Sequence, residues 1–180
     1  MIIGGSGFIG SNLADKFSQL NFKVKIFDIK KSKYLKKKQR FFKGNILDKS
    51  SLAQCIKKND IVFNFAGLSD LDDAKNKPLQ TANLNIIGSI NILLVCKKKK
   101  VKKFIHASSI YANTEEGGFY AASKRAAEDY IERFCKKYKI KFSVLRFGSL
   151  YGPRSDRGNG VNTMILDSLK KNKLIYYGNR

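Results

Sequence analysis

Three evenly spaced glycines near the start of the chain, Gly4, Gly7 and Gly10, restrict the fold more than any other feature. They lie in Gly4-Gly-Ser-Gly-Phe-Ile-Gly10, whose last six residues also fit G-x-G-x-x-G. Glycines so spaced let a strand turn sharply, let a pyrophosphate approach bare backbone, and let the next helix pack close. Phosphates bound there would meet N–H groups and the positive end of a helix dipole. Glycine-rich turns before helices are common, so the pattern acquires meaning only from its setting in the chain.

Downstream of the glycines the sequence alternates between strand and helix periodicity. Phe8, Ile9, Leu13, Phe17 and Leu20 recur at helical spacing and predict a helix over 8–20. The alternating, β-branched run 22–28 predicts a strand ending in Asp28, and 40–43 a short strand. A helix over 48–58 is opened by an Asp or Ser cap, and 60–66 reads as a buried strand ended by Gly67. A long helix over 79–100, a strand over 103–108, a helix over 119–138 and a strand over 141–147 complete the pattern, with a helix at 162–172 and a strand at 174–177 beyond. Strands alternating with helices of this length imply an α/β fold, a parallel sheet joined by right-handed crossovers.

The chain of 180 residues suits one domain or slightly more. Its formal net charge of +22 would by itself suggest nucleic acid or an anionic membrane surface. The excess is mostly lysine in a chain also rich in Ile and Asn, which reads as codon bias on solvated faces. The lysine runs lack interleaved aromatics and no nucleic-acid motif is present, so no nucleic-acid partner is expected. The run Lys97–Lys100 with Lys102 and Lys103 is read as a solvated helix end complementing the dipole rather than an anion site. Cys55, Cys96 and Cys135 lack metal or redox spacing and fit reduced thiols in a cytoplasmic protein. The single histidine, His106, has no companion with which to hold a metal. No leader or membrane-spanning segment is expected, because the most apolar stretch, 84–96, is short and contains Asn85 and Asn91.

Two further groups carry chemistry. Asp28, at the carboxyl end of the second strand, is placed to accept hydrogen bonds from an adenosine ribose and to repel a 2′-phosphate. That favours NAD over NADP, although Lys30 and Lys31 soften the repulsion. Tyr120 and Lys124 stand one helical turn apart, so an ammonium can lie near a phenol and lower its pKa toward a range useful for proton abstraction. The preceding strand ends in Ser108-Ser109, where a hydroxyl can hydrogen-bond a substrate oxygen.

Together these stretches resemble the extended short-chain dehydrogenase/reductases, specifically the NAD-dependent epimerase/dehydratases that act on nucleotide sugars. The resemblance rests on 4–10, Asp28, Gly44-Asn-Ile-Leu-Asp48, Asn64-Phe-Ala-Gly67, Asn85 to Asn91, Ala107-Ser-Ser109, Tyr120 with Lys124, and Leu145-Arg-Phe-Gly-Ser-Leu-Tyr-Gly-Pro-Arg154, in family order. It implies a Rossmann-type doubly wound parallel sheet with helices on both faces over 1–147. Residues 148–180 would begin a small C-terminal substrate lobe that continues in family members, so the chain reads as truncated.

The resemblance also implies roles. Gly4, Gly7 and Gly10 would bind the pyrophosphate with the amides of Phe8 and Ile9, and Asp28 the ribose. Asn45 and Ile46 would lie by the adenine, Ala66 and Gly67 would line the cofactor, and Asn85 would shape its helix near the active site. Tyr120 would be the catalytic acid and base, and Lys124 its pKa-lowering partner and ribose ligand. Ser109, with Ser108 as runner-up, would orient the substrate. The implied reaction is transient hydride transfer from a sugar carbon of a nucleotide sugar to NAD, in a chain that forms a homodimer through 79–100 and 119–138. A catalytically silent NAD-binding module, or an inactive fragment, is the alternative. Departures from the family pattern are Ile3, where a threonine is usual, and Ile110-Tyr-Ala-Asn113 in place of Val-Tyr-Gly.

Overall fold

Residues 1–155 and 160–173 are described by the computed structural model. Six strands, β1 (Ile2–Ile3), β2 (Val24–Asp28), β3 (Gln39–Lys43), β4 (Ile61–Asn64), β5 (Lys103–Ser109) and β6 (Phe142–Phe147), form one sheet in the order β3-β2-β1-β4-β5-β6. Every pairing is parallel. The strand order reverses between β1 and β4, and the crevice outside their carboxyl ends is where open α/β sheets bind ligands.

The helices are α1 (Phe8–Gln19), α2 (Lys49–Cys55), α3 (Leu71–Asn76), α4 (Pro78–Ala82), α5 (Gly88–Lys99), α6 (Gly118–Tyr138) and α7 (Gly160–Lys171). One sheet face packs Ile3, Phe27, Val62 and Phe104 against Leu52, Ile92, Leu93, Cys96, Ile131 and Cys135 of α2, α5 and α6. The other face packs Ile2, Val24 and Ile26 against Ala14, with Leu13, Phe17, Phe63 and Phe65 around them. Strands covered on both sides are apolar almost throughout, as buried parallel sheets require.

The first strand has two residues, where a central parallel strand ordinarily has about five. It is held from both flanks. Ile2 and Ile3 pair with Ile26 and Phe27 on one side and with Phe63 and Asn64 on the other. Gly4 N–H donates to Phe27 O (2.9 Å), Phe63 N–H to Met1 O (2.9 Å) and Phe65 N–H to Ile3 O (2.8 Å).

Three elements depart from the sequence reading. The helix expected over 48–58 stops at Cys55, because Ile56 turns extended and buries its side chain completely. Asp48 does cap it, accepting from Ser50 N–H at 2.8 Å. The short polar helix α3 is an addition to the expected pattern. The helix expected over 79–100 is interrupted by a π-turn at Asn83–Ile87 between α4 and α5. By length and hydropathy the run Pro78–Lys99 passes for a membrane span, but half of its most apolar window is buried inside the domain. The strand expected at 174–177 lies outside the described residues.

Beyond β6 the chain crosses back over α1. Asn12 Nδ2 donates to Pro153 O at 3.0 Å, Arg154 pairs with Asp15 at 2.5 Å, and its guanidinium lies 4.3 Å from the centre of the Tyr34 ring. Arg154, Lys36 and Gln39 all converge on Asp15. Burial pushes that carboxyl up, but the three donors outweigh it and hold the pKa below the ordinary aspartate value.

Candidate active site

The glycine turn leaves β1 at the switch point. Gly4 adopts φ +75°, and a Cβ there would lie 2.5 Å from Ala66 N, so only glycine allows β1 and β4 to end this close together. A Cβ at Gly10 would lie 2.4 Å from Gly4 O and 2.7 Å from Gly5 Cα, which fixes how closely α1 packs on the turn. Gly7 is different. It is the residue before α1, without a side-chain cap, and a Cβ there would meet only Gly4 O at 3.5 Å. Phe8 and Ile9 open α1, whose first-turn amides have neither a side-chain cap nor intrahelical acceptors. That is the donor arrangement an anion needs.

Asp28 closes β2 at the rim of the same turn. Its Oδ2 accepts from Ser6 N–H at 3.0 Å and its Oδ1 from Lys30 N–H at 3.3 Å. Ala66 and Gly67 come after β4, with Gly67 exposed at φ +156°. Asn45 is exposed, and its Oδ1 accepts from Leu47 N–H at 2.9 Å. Ile46 is 6% exposed, its side chain in the core against Gly88 and its carbonyl held by Asn91 Nδ2 at 3.2 Å. The residues of the turn, Asp28 and the end of β4 thus share the carboxyl edge of the sheet, with free amides and a carboxylate that fit a pyrophosphate and a ribose.

Beside them, β5 and α6 bring Ser109, Tyr120 and Lys124 together. Ser109 ends β5 beside the Tyr120 phenol, and its hydroxyl accepts from Tyr111 N–H at 3.3 Å. Lys124 is 7% exposed; its Nζ donates to Ala107 O at 3.0 Å and lies 5.7 Å from the centre of the Tyr120 ring. Burial lowers the Lys124 pKa to about 8, with Glu128 acting in the opposite direction. The lowering of Tyr120 expected from its lysine is not found. Burial pushes the phenol above its ordinary value and Tyr111 adds to this, against the Ser109 hydrogen bond. A phenol 8% exposed loses more by desolvation of its anion than this hydrogen bond returns.

Under the site runs a buried polar network that single motifs did not reveal. Asn85, in the π-turn, accepts from Leu68 N–H (2.8 Å) and donates to Leu68 O (3.0 Å) and to Ser123 Oγ (2.9 Å). Ser89 Oγ donates to Asn85 O at 2.7 Å and accepts from Asn64 Nδ2 at 3.1 Å. These bonds tie the π-turn to the loop after β4 and to α6, and π-turns recur where a helix is shaped for function. Asn64 Nδ2 also faces His106 Nδ1 at 3.3 Å, which places the imidazole proton on Nε2, an atom without a hydrogen-bond partner. Burial, with Lys124 adding to it, lowers the His106 pKa to about 3, so the ring is neutral. Among the described residues no cluster of three or more His, Cys, Asp or Glu could hold a metal ion.

A model of the NAD dependent epimerase/dehydratase family matches residues 1–180. A dTDP-D-glucose 4,6-dehydratase of Dictyostelium discoideum is 30% identical across 86% of the chain and 44% of its own length. The crystal structure of a UDP-glucose 4-epimerase of Thermotoga maritima with UDP-glucose superposes with a TM-score of 0.83 at 29% identity, covering 94% of this chain and 62% of the other. That of the Thermus thermophilus UDP-glucose 4-epimerase with NAD gives 0.81 at 26% identity, covering 93% and 60%. The chain thus spans less than two thirds of the length of these relatives.

Proposed function

We infer the reaction from family membership: this chain belongs to the NAD dependent epimerase/dehydratase family, whose cofactor is NAD. It carries the cofactor half and the acid–base residues of a nucleotide-sugar epimerase or dehydratase. The observation that carries the proposal is the meeting of Ser109, Tyr120 and Lys124 beside the glycine turn, at the carboxyl edge of one sheet.

The glycine turn and the amides of Phe8 and Ile9 would hold the pyrophosphate, with Ala66 and Gly67 lining the cofactor. Asp28 holds the adenosine ribose and disfavours a 2′-phosphate. Asn45 and Ile46 would lie by the adenine, with the Ile46 side chain packed in the core. NAD, when bound, supplies the acceptor for a hydride from the sugar carbon. Ser109 orients the sugar hydroxyl and Tyr120 takes its proton, later returning it. Lys124 would stabilise the phenolate and, with NAD bound, hold the nicotinamide ribose. Burial holds the Tyr120 phenol above its ordinary value, and NAD, when bound, would supply positive charge beside it.

Residues 148–180 form the start of the lobe that grips the nucleotide sugar in this proposal. A homodimer packed through 79–100 and 119–138 belongs to it as well, supported by Ile87 of the π-turn and Leu94 of α5, which stand 46% and 41% exposed. The test is turnover of a panel of UDP- and dTDP-sugars with NAD by the natural full-length protein. Tyr120→Phe is expected to reduce kcat at least about a hundredfold while leaving NAD affinity within about threefold. Undiminished kcat in that variant would remove Tyr120 from the chemistry.

A further inference from the structure

Along the chain the lysines belong to separate helix ends and loops, but the parallel sheet gathers many of them at its amino edge. Lys38 leads into β3, Lys23 into β2, Lys58 into β4, Lys102 into β5 and Lys141 into β6, and all five are exposed. The strand starts lie level, since Val24 stands opposite Gln39, Ile61 opposite Lys103 and Phe104 opposite Phe142. In 20–23, 29–38, 56–60, 100–102 and 139–141 the single acid is Asp60, and Lys25 Nζ holds it at 2.5 Å. Lysines that end α5 and α6 line, with the starts of β5 and β6, two open depressions of about 550 and about 280 Å³.

Complementing helix dipoles accounts for the lysines after α5 and α6. It does not account for Lys37 and Lys38, which follow a loop with no helix end beside them. Nor does it account for the apolar side chains set among the cations. The turn after α1 leaves Leu20 56% and Phe22 60% exposed, with the Phe22 ring edge-on to Phe17 at 5.5 Å. Ile61, at the start of β4, is 37% exposed. We propose that the amino edge of the sheet is a peripheral docking surface for an anionic lipid bilayer, with lysines at the lipid phosphates and Leu20 and Phe22 entering the headgroup layer.

A bilayer matches both halves of this surface. Anionic headgroups attract basic residues close to the membrane, and apolar side chains beside them gain by burial at the headgroup boundary. A nucleic-acid backbone would use the lysines and leave Leu20 uncovered. The tyrosine at the lysine-rich end, Tyr138, is already covered by Lys97 Nζ, 3.8 Å from the ring centre, and offers no bare face for a base to stack on. The candidate active site lies at the opposite, carboxyl edge of the strands, so a docked chain keeps the cofactor crevice open to solution.

The test is co-sedimentation of the natural full-length protein with vesicles of phosphatidylcholine alone and with about one third phosphatidylserine, at about 0.1 M salt. Affinity for the anionic vesicles is expected to be at least about tenfold higher. Each lysine at such a surface is worth roughly fivefold, so Lys23→Gln, Lys58→Gln and Lys102→Gln together should weaken it about a hundredfold. Phe22→Ser should weaken it at least about fivefold through the lost apolar contact. The charge-matched set Lys43→Gln, Lys49→Gln and Lys75→Gln, exposed and away from this edge, should stay within about threefold of wild type, because distant charges are screened. Equal losses in the two lysine sets would make the attraction a property of net charge and overturn the proposal. So would equal binding to both kinds of vesicle, or an unchanged affinity in Phe22→Ser. If the edge set abolished binding to duplex DNA and left vesicle binding intact, the face would belong to nucleic acid and the proposal would fall.

Discussion

Substituting alanine at two glycines of the first turn separates packing from ligand contact, because the two sites offer a methyl group very different space. At Gly10 the new Cβ would lie 2.4 Å from Gly4 O and 2.7 Å from Gly5 Cα, both backbone atoms within the turn. Neither can swing aside, so the turn or α1 must shift, and overpacking of this kind costs about 1–3 kcal/mol. In a chain of this size that lowers the thermal midpoint by roughly 2–12 °C. At Gly7 the Cβ would stand 3.5 Å from Gly4 O, an ordinary contact, on a backbone with φ −75° that any residue adopts. Gly7→Ala is therefore expected to melt within about 2 °C of wild type while its methyl group occupies the space left for phosphate. A loss of NAD affinity of at least about tenfold, or about 1.4 kcal/mol, should accompany it. Differential scanning fluorimetry and calorimetric titration on the same preparations read both quantities. If Gly7→Ala lost as much stability as Gly10→Ala, or bound NAD as wild type does, the division of labour within the turn would be wrong.

The buried polar groups give three other expected outcomes. Asn85→Ala strands Leu68 N–H and Ser123 Oγ without their partner, and should cost about 2–5 kcal/mol in urea unfolding; a loss under about 1 kcal/mol would contradict the network. His106 titrates at about 3 in the folded chain and near 6.5 unfolded, so the unfolded state binds the extra proton between those values and stability falls as pH drops through 6.5. From pH 7 to pH 5 this amounts to about 2 kcal/mol, and His106→Gln should show a correspondingly smaller decline if the account holds. Burial raises the thiols of Cys55 and Cys135 to about 11 and raises Cys96 further, so none should react with Ellman's reagent in the native state at pH 8, and all three in guanidinium.

Much of this architecture was legible because its signals are local. Alternation in 22–28 and 60–66, and the helical spacing of Phe8, Leu13 and Phe17, depend on residues adjacent in sequence, and they gave the strand order its raw material. The glycine turn was legible because Gly4 and Gly10 are required by backbone space. Other features depend on distant partners. The π-turn exists where Asn85 grips Leu68 and Ser123; the resemblance pointed to Asn85 as shaping its helix, but the periodicity of 79–100 does not signal the turn. The helix α3, Leu71-Asp-Asp-Ala-Lys-Asn76, has no apolar stripe and owes its start to Asp70, which accepts from Asp73 N–H at 2.8 Å. The contact of Arg154 with Asp15 joins residues far apart in the chain and could not be read from either. The Tyr120 and Lys124 pair shows both sides. Their spacing was readable, but the direction of the tyrosine's shift was not, since it is decided by how deeply β5 and α6 bury the phenol.

The central claim is that the carboxyl edge of this sheet is an NAD site, and calorimetric titration of the chain with NAD and with NADP tests it most directly. One NAD per chain is expected, with NADP at least about tenfold weaker in wild type and that preference lost in Asp28→Asn. Failure to bind either dinucleotide, or equal binding of both by wild type, would contradict the account.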